Sequence, residues 1–226
     1  EEESYWTYLS RNLNLRQQGQ QLILKFNAEI VEEVAEELLM QSAAWFRDEE
    51  PWWAPVKTVG PSDLTAERTK ALGTVMESMK SFVAYCEKHL EEAETFKIKL
   101  VASQGRTATQ CPSWHTDWVP IRGIQTLRGP GTVYLDPKHV TPELLPAFRG
   151  GDCTPEEKDT MIKASGIPFS HATGLQFMVG HRWNEKCRPE FRGKPRILHR
   201  SPRNVPWQQA RVMIVLDVVD SDCCDD

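Results

Sequence analysis

A histidine and an aspartate stand two residues apart in Trp114-His115-Thr116-Asp117, and far downstream come Leu198-His199-Arg200 and then Arg211. On an extended segment side chains alternate with period 2, so His115 and Asp117 project to one face. A second imidazole brought back by the fold, that of His199, would make a set of two nitrogens and one carboxylate. Such a set occupies one triangular face of an octahedral ion and leaves the opposite positions free. This is the usual way to hold non-haem Fe(II) while keeping room for substrate and O2. An HxD pair alone carries little, because a chain with 6 His produces such pairs by chance. The surrounding elements decide.

With 226 residues, 40% of them hydrophobic and 26% charged, the chain is long enough to bury one full core and reads as globular. A net charge of −5 argues against general coating of nucleic acid. No apolar run approaches the ~20 residues of a membrane span. The chain begins at Glu1 without a signal-peptide pattern, so targeting is not readable. Its 6 cysteines, Cys86, Cys111, Cys153, Cys187, Cys223 and Cys224, form no CxxC knuckle. They read as free thiols of a soluble protein in a reducing intracellular compartment. The end, Asp222-Cys223-Cys224-Asp225-Asp226, reads as an acidic tail over residues 221–226 rather than a metal site.

Residues 1–95 read as a mostly helical part of the same domain. Ile30, Val31, Val34, Leu38, Leu39, Trp45 and Phe46 have the spacing of an amphipathic helix between Glu29 and Arg47, with Asn27 placed to cap it. Pro51-Trp52-Trp53-Ala54-Pro55 breaks the pattern. A second helix over Thr65 to Glu94 carries Leu72, Val75, Met76, Met79, Phe82, Val83, Cys86 and Leu90 on one stripe, with His89 at its border as a surface or packing residue rather than a ligand. Both helices read as cover for a core.

At Phe96 the period switches to 2. Strands are expected at Phe96–Val101, Val119–Leu127, Thr132–Leu135, Leu175–Val179, Arg196–Arg200 and Arg211–Val219. A helical insertion opens at Thr154-Pro155-Glu156-Glu157, a capping box with proline at the first helical position, and Gly166 ends it. Thr141-Pro142-Glu143 opens a shorter turn in the same way. Helices followed by many short strands predict an α+β protein built on a β-sandwich or barrel, with residues 96–220 as the core.

His115 and Asp117 then fall at the start of one strand, His199 eighty-four residues later on the penultimate strand, and Arg211 at the head of the last. This order resembles the Fe(II)- and 2-oxoglutarate-dependent dioxygenases over roughly Phe96 to Val219. The resemblance implies a double-stranded β-helix (jelly roll) with the N-terminal helices packed on it. The chain also resembles an uncharacterised bacterial domain family often found beside zinc-homeostasis GTPases. That likeness runs through Cys111-Pro112-Ser113-Trp114-His115-Thr116-Asp117, Arg122 with Thr126, Gly129-Pro130-Gly131-Thr132, His199-Arg200-Ser201-Pro202 and Arg211. One departure stands out: many dioxygenases place a Tyr on the strand before HxD, and Phe96–Ser103 contains none.

The dioxygenase resemblance implies Fe(II) on His115, Asp117 and His199, and 2-oxoglutarate paired in a two-pronged way with Arg211, Thr126 adding a hydrogen bond. The activity implied is hydroxylation or desaturation of a small-molecule substrate with O2. Arg211 heads a nearly continuous apolar strand, where a buried unpaired charge is costly, so it needs a partner. His139, His171 and His181 lie outside the pattern. Arg182 to Arg211 holds nine Lys or Arg against Glu185 and Glu190. It reads either as a solvated basic face or as a mouth for an anionic aromatic or tetrapyrrole-like substrate, an acidic peptide or a nucleic acid. Trp118, Trp183, Arg188, Arg192 and Trp207 would line that mouth, with Trp52 and Trp53 as an added wall. Two alternatives stand beside the oxygenase: a non-catalytic protein holding zinc on the same three ligands, and a β-sandwich binding module whose triad is coincidental. Substrate identity and oligomeric state are not legible.

Overall fold

The computed structural model describes residues 5–6, 20–44, 61–109, 111–140, 154–172, 174–206 and 209–219. Among them run eight strands: β1 (Gln20–Phe26), β2 (Phe96–Gln104), β3 (Ile121–Arg128), β4 (Val133–Leu135), β5 (Phe169–His171), β6 (Gln176–Val179), β7 (His199–Arg200) and β8 (Ala210–Val218). Four α-helices accompany them: α1 (Val31–Ala44), α2 (Pro61–His89), α3 (Pro155–Ala164) and α4 (Trp183–Lys186). All paired strands are antiparallel, in the order β1-β2-β8-β3-β6 in the larger sheet and β5-β4-β7 in the smaller. The protein is thus a mixed α/β structure of two antiparallel sheets and few helices.

Alternation along β8 sets the layers. Ala210, Val212, Ile214 and Leu216 point to one side and join Ala71, Val75, Met79, Phe82 and Cys86, the apolar stripe of α2. Phe82 seats against Gly123 of β3, where any side chain would meet the ring. On the other side, Met213 and Val215 meet Ile124 and Met178, with Tyr134 of the smaller sheet packed on them. That is the interior between the sheets. The smaller sheet alternates too. Val133, Leu135 and Leu198 pack outward on Ile162 and Ile167 at α3, while Tyr134 and its register partner His199 take the opposite, inner face.

Helix ends follow their signals. Asn27 Oδ1 accepts from the N–H groups of Glu29 and Ile30 at 3.0 and 3.2 Å ahead of α1. Thr154 and Glu157 form the reciprocal capping box of α3, and Gly166 beyond its end has φ 70°. Two strands went unread. β1 carries Leu22, Ile23 and Leu24 in succession, so no alternation betrays it; it is an edge strand whose Ile23 remains exposed. β5 is only three residues long. The expected strand over Arg196–Arg200 shortens to His199–Arg200, and the second helix ends at His89 rather than Glu94. Residues 45–47 of the first expected helix, the Trp52–Trp53 segment, the Thr141 turn, Cys153 and the 221–226 tail lie outside the described residues. Cys86 and Cys187 are buried free thiols and Cys111 is an exposed one. No described helix is long and apolar enough to cross a membrane.

His89 is a packing residue, as its place beside the stripe suggested. Its ring stacks 4.0 Å from Tyr85 and lies 4.4 Å from Phe191, and Nδ1 donates to the Tyr85 carbonyl at 2.8 Å. Burial, with Lys194 and Lys88 nearby, pushes its pKa below the ordinary 6.5. Stability from the neutral ring is therefore complete above 6.5 and is lost as pH falls through the lower folded value. Urea unfolding from neutral pH down to about pH 5 should show stability falling with acid. The slope should be smaller in His89→Phe; an unchanged slope would mean His89 protonates freely in place.

Candidate metal centre

His115, Asp117 and His199 each offer one ligand atom, and these atoms lie within 4.8 Å of one another. No strand carries the first two. The loop from Trp114 to Pro120 pairs with the smaller sheet by one isolated backbone bridge among the described residues, in which His115 and His199 exchange bonds of 3.0 and 2.9 Å. The expectation that His115 and Asp117 open a strand is corrected here, because β3 begins at Ile121. A neighbouring network holds the loop. Asp159 of α3 accepts from Trp114 Nε1 at 2.7 Å, from both arms of Arg200 at 3.1 and 3.2 Å, and pairs with Arg203 at 2.9 Å. Trp114 precedes His115 and Arg200 follows His199, so one carboxylate ties together the two segments that present the imidazoles.

Both imidazoles are oriented from behind. His115 Nδ1 faces the Ser113 carbonyl at 2.9 Å and His199 Nδ1 the Ile197 carbonyl at 3.2 Å. Carbonyls only accept, so Nδ1 carries the proton in each ring, and in the neutral ring Nε2 offers a lone pair. His199 Nε2 lies 3.1 Å from Asp117 Oδ2, and His115 Nε2 lies 4.0 Å from Asp117 Oδ1. Oδ2 is buried without a hydrogen-bond partner among the described residues. Lone pairs converging at this distance repel unless a proton or a cation lies between them. Burial, then the charge of His199, pushes the His115 pKa down, which favours the neutral ligand form. Burial would raise that of Asp117, but the neighbouring His199, Arg122 and His115 side chains hold it below the usual carboxylate range.

Arg211 lies on the inner side of β8 and is 4% exposed. Its Nε donates to the Pro130 carbonyl at 3.1 Å, Nη1 to the Ala108 carbonyl at 3.4 Å and Nη2 to Thr132 Oγ1 at 2.8 Å. No carboxylate among the described residues pairs with it, and burial pushes its pKa down to about 10, still charged at neutral pH. Thr132, which accepts from Arg211, lies two residues before Tyr134, the register partner of His199. Thr126 takes the face of its partner Met213, the same face as Arg211, and its buried Oγ1 has no partner among the described residues. Gly129 at φ 82° makes the approach possible: a side chain there, or on Gly131, would strike the Ala210 or Ala172 carbonyl.

Trp183, Arg188 and Arg192 of the basic stretch do not gather round this centre. Trp183 is 1% exposed in the core, its Nε1 donating to the Phe191 carbonyl at 3.0 Å. Arg188 donates to the Leu90 and Glu87 carbonyls at 3.1 and 2.9 Å and caps the end of α2, while Arg192 follows the same segment in solvent. Lys194 is caged over Tyr85, Trp183 and Phe191 at 5.4, 5.1 and 5.4 Å. These residues pack at the C-terminal end of α2, on the outer side of the larger sheet. Trp118, by contrast, follows Asp117 and is 72% exposed, its indole 5.3 Å from His181. His181 in turn meets Thr116 Oγ1 at 2.5 Å and Arg196 at 2.6 Å. Trp207 lies outside the described residues.

Several residues at the site escaped sequence reasoning. Tyr134 of β4 takes the inner face with its register partner His199. Asp217 and Arg122 pair across β3 and β8 and reach Asp117. The available signal was a lone acid at the end of the apolar run Val-Met-Ile-Val-Leu-Asp, as anomalous there as Arg211 at its head.

The family described as Protein of unknown function (DUF1826) matches residues 75–217. No curated protein matches the chain. Among solved structures, the chain is similar to a dioxygenase for auxin oxidation from Arabidopsis thaliana, in complex with 2-oxoglutarate. The identity there is 9% and the TM-score 0.38, over 94% of this chain and 66% of that one. A dioxygenase for auxin oxidation in rice matches at 12% identity and TM-score 0.37, over 95% of this chain and 64% of that one. Full-length Neurospora crassa T7H in complex with alpha-KG matches at 11% and 0.35, over 96% and 59%. The chain thus spans about two thirds or less of the length of these structures.

Asp159→Ala should cost about 3–5 kcal/mol, because it strands the buried Arg200 guanidinium and the Trp114 N–H. Chemical denaturation measures this directly. A loss below about 1 kcal/mol, the value of an exposed pair, would show that the network does not brace the loop.

Proposed function

The chain belongs to the DUF1826 family, and we propose that it is an Fe(II)- and 2-oxoglutarate-dependent oxygenase whose two sheets form a double-stranded β-helix. One observation carries the reading: two Nε2 lone pairs and an orphaned, buried Asp117 oxygen converge at one end of an interior that also holds a buried guanidinium with no acid partner among the described residues. The first group fits a divalent cation bound through two imidazoles and one carboxylate. The second fits a carboxylate, which Arg211 would meet with its planar fork while Thr126 Oγ1 gains the donor role it lacks. 2-Oxoglutarate bears both functions, a chelating 2-oxo acid and a distal carboxylate.

His115, Asp117 and His199 would hold the metal. With 2-oxoglutarate and O2, the bound iron supplies oxidative chemistry: substrate R–H becomes R–OH while 2-oxoglutarate is split to succinate and CO2. In desaturation two hydrogens leave the substrate and appear as water. The chain itself contributes position and dryness. Arg211 would fix the far end of the cosubstrate, and Tyr134, the register partner of His199, packs on the apolar cluster beside it. Ile124, Met178, Met213 and Val215 exclude water from the space between the sheets. Zinc would accept the same three ligands, but a purely structural ion leaves Arg211 and Thr126 without an occupant.

Asp117→Ala and His199→Ala should lose stoichiometric metal while keeping their far-ultraviolet circular dichroism. Protein loaded with Fe(II) under nitrogen should convert 2-oxoglutarate to succinate once O2 is admitted. Arg211→Ala should keep the metal but bind 2-oxoglutarate ~1.5–3 kcal/mol more weakly, or about 10- to 150-fold. Equal affinity in wild type and Arg211→Ala, measured calorimetrically without O2, would rule out the cosubstrate role.

A further inference from the structure

Arg122 stands between two buried carboxylates. Its Nε and Nη2 donate to the two oxygens of Asp217 at 2.7 and 3.0 Å, and Nη1 donates to Asp117 Oδ1 at 2.5 Å. Arg122 and Asp217 are direct register partners on β3 and β8, so this pair is built into the larger sheet. Asp117 sits on the loop before β3, where nothing in the sheet ladder fixes its carboxylate. Such a group can turn to offer an ion one oxygen or two. Arg122 occupies Oδ1 and leaves Oδ2 facing His199 Nε2.

We propose that Arg122, braced by Asp217, is a positioning residue that makes Asp117 a one-oxygen ligand and so sets how many positions on the metal stay open. The inference rests on the metal reading given above. Two imidazoles and one carboxylate oxygen fill three of the six positions of an octahedral ion. A two-oxygen chelator such as a 2-oxo acid then leaves one position free. If Asp117 bound through both oxygens, the chelator would fill the ion completely. The guanidinium suits the task because its rigid fork satisfies both Asp217 oxygens while a third N–H reaches Asp117. A lysine has no such geometry.

The test is a Co(II) titration of the metal-free full chain, followed by visible absorption, in wild type, Arg122→Lys and Asp217→Asn. A double variant, Arg122→Gln with Asp217→Asn, keeps a neutral hydrogen-bonded pair in case a single change leaves an unpaired buried charge that prevents folding. Partners behind metal ligands typically change affinity 10- to 100-fold, and the folded variants should bind Co(II) weaker by about that factor. Their Co(II) absorption should also change in intensity as coordination number rises, a signature that mere destabilisation does not produce. A folded variant with wild-type affinity and wild-type spectrum overturns the positioning role alone. Wild type that binds no Co(II), or binds it equally well as His199→Ala, overturns the metal reading and this inference together.

Discussion

Two lone pairs aimed at each other across 3.1 Å, those of His199 Nε2 and Asp117 Oδ2, set the terms for the rest of the molecule. The Ile197 and Ser113 carbonyls behind the rings fix Nδ1 as the protonated nitrogen of each. Burial removes the water that would otherwise solvate the opposing acceptors. What is left is a demand for positive charge at one point. The loop bridge between His115 and His199, the Asp159 network and the Arg122–Asp217 pair all restrain the groups that make that demand.

Strand alternation converts this local demand into a site with direction. On β8 the apolar positions facing α2 leave Arg211 and Asp217 on the inner side, six residues apart. At ~3.3 Å per residue their backbones stand about 20 Å apart, bridged by the inward reach of long side chains and by Met213 and Val215 between them. Asp217 reaches Asp117 through Arg122, and Arg211 reaches Thr132. The two carboxylates Asp117 and Asp217 balance the two guanidiniums Arg122 and Arg211. A divalent ion would then leave the interior with two positive charges, a balance that a dianion restores.

Much of this was legible in the sequence, and the reasons differ by residue. His115, Asp117 and His199, which the fold brings together, could be grouped by identity, order and resemblance; Arg211 stood out as a charge heading an apolar strand, and Thr126 came with the resemblance alone. Asp159 and the Arg122–Asp217 pair could not be read, since their contacts span 41 to 95 residues and depend on register. β1 lacked alternation, so its apolar run was absorbed into a helical reading of the N-terminal part. The basic stretch misled for another reason. Charge counts report composition, whereas Arg188 spends its donors on the carbonyls ending α2 and Lys194 is enclosed by aromatic rings. Among the described residues, Trp118, next to Asp117 and open to solvent, keeps the place expected for a rim.

The most direct measurement is a titration of 2-oxoglutarate into the protein loaded with Fe(II) in the absence of O2, followed by visible absorption. The account predicts one iron per chain and a new metal-to-ligand band that saturates as the cosubstrate chelates the ion with its distal carboxylate on Arg211. A protein that retains no stoichiometric iron, or one that holds iron yet develops no band at saturating 2-oxoglutarate, would contradict it.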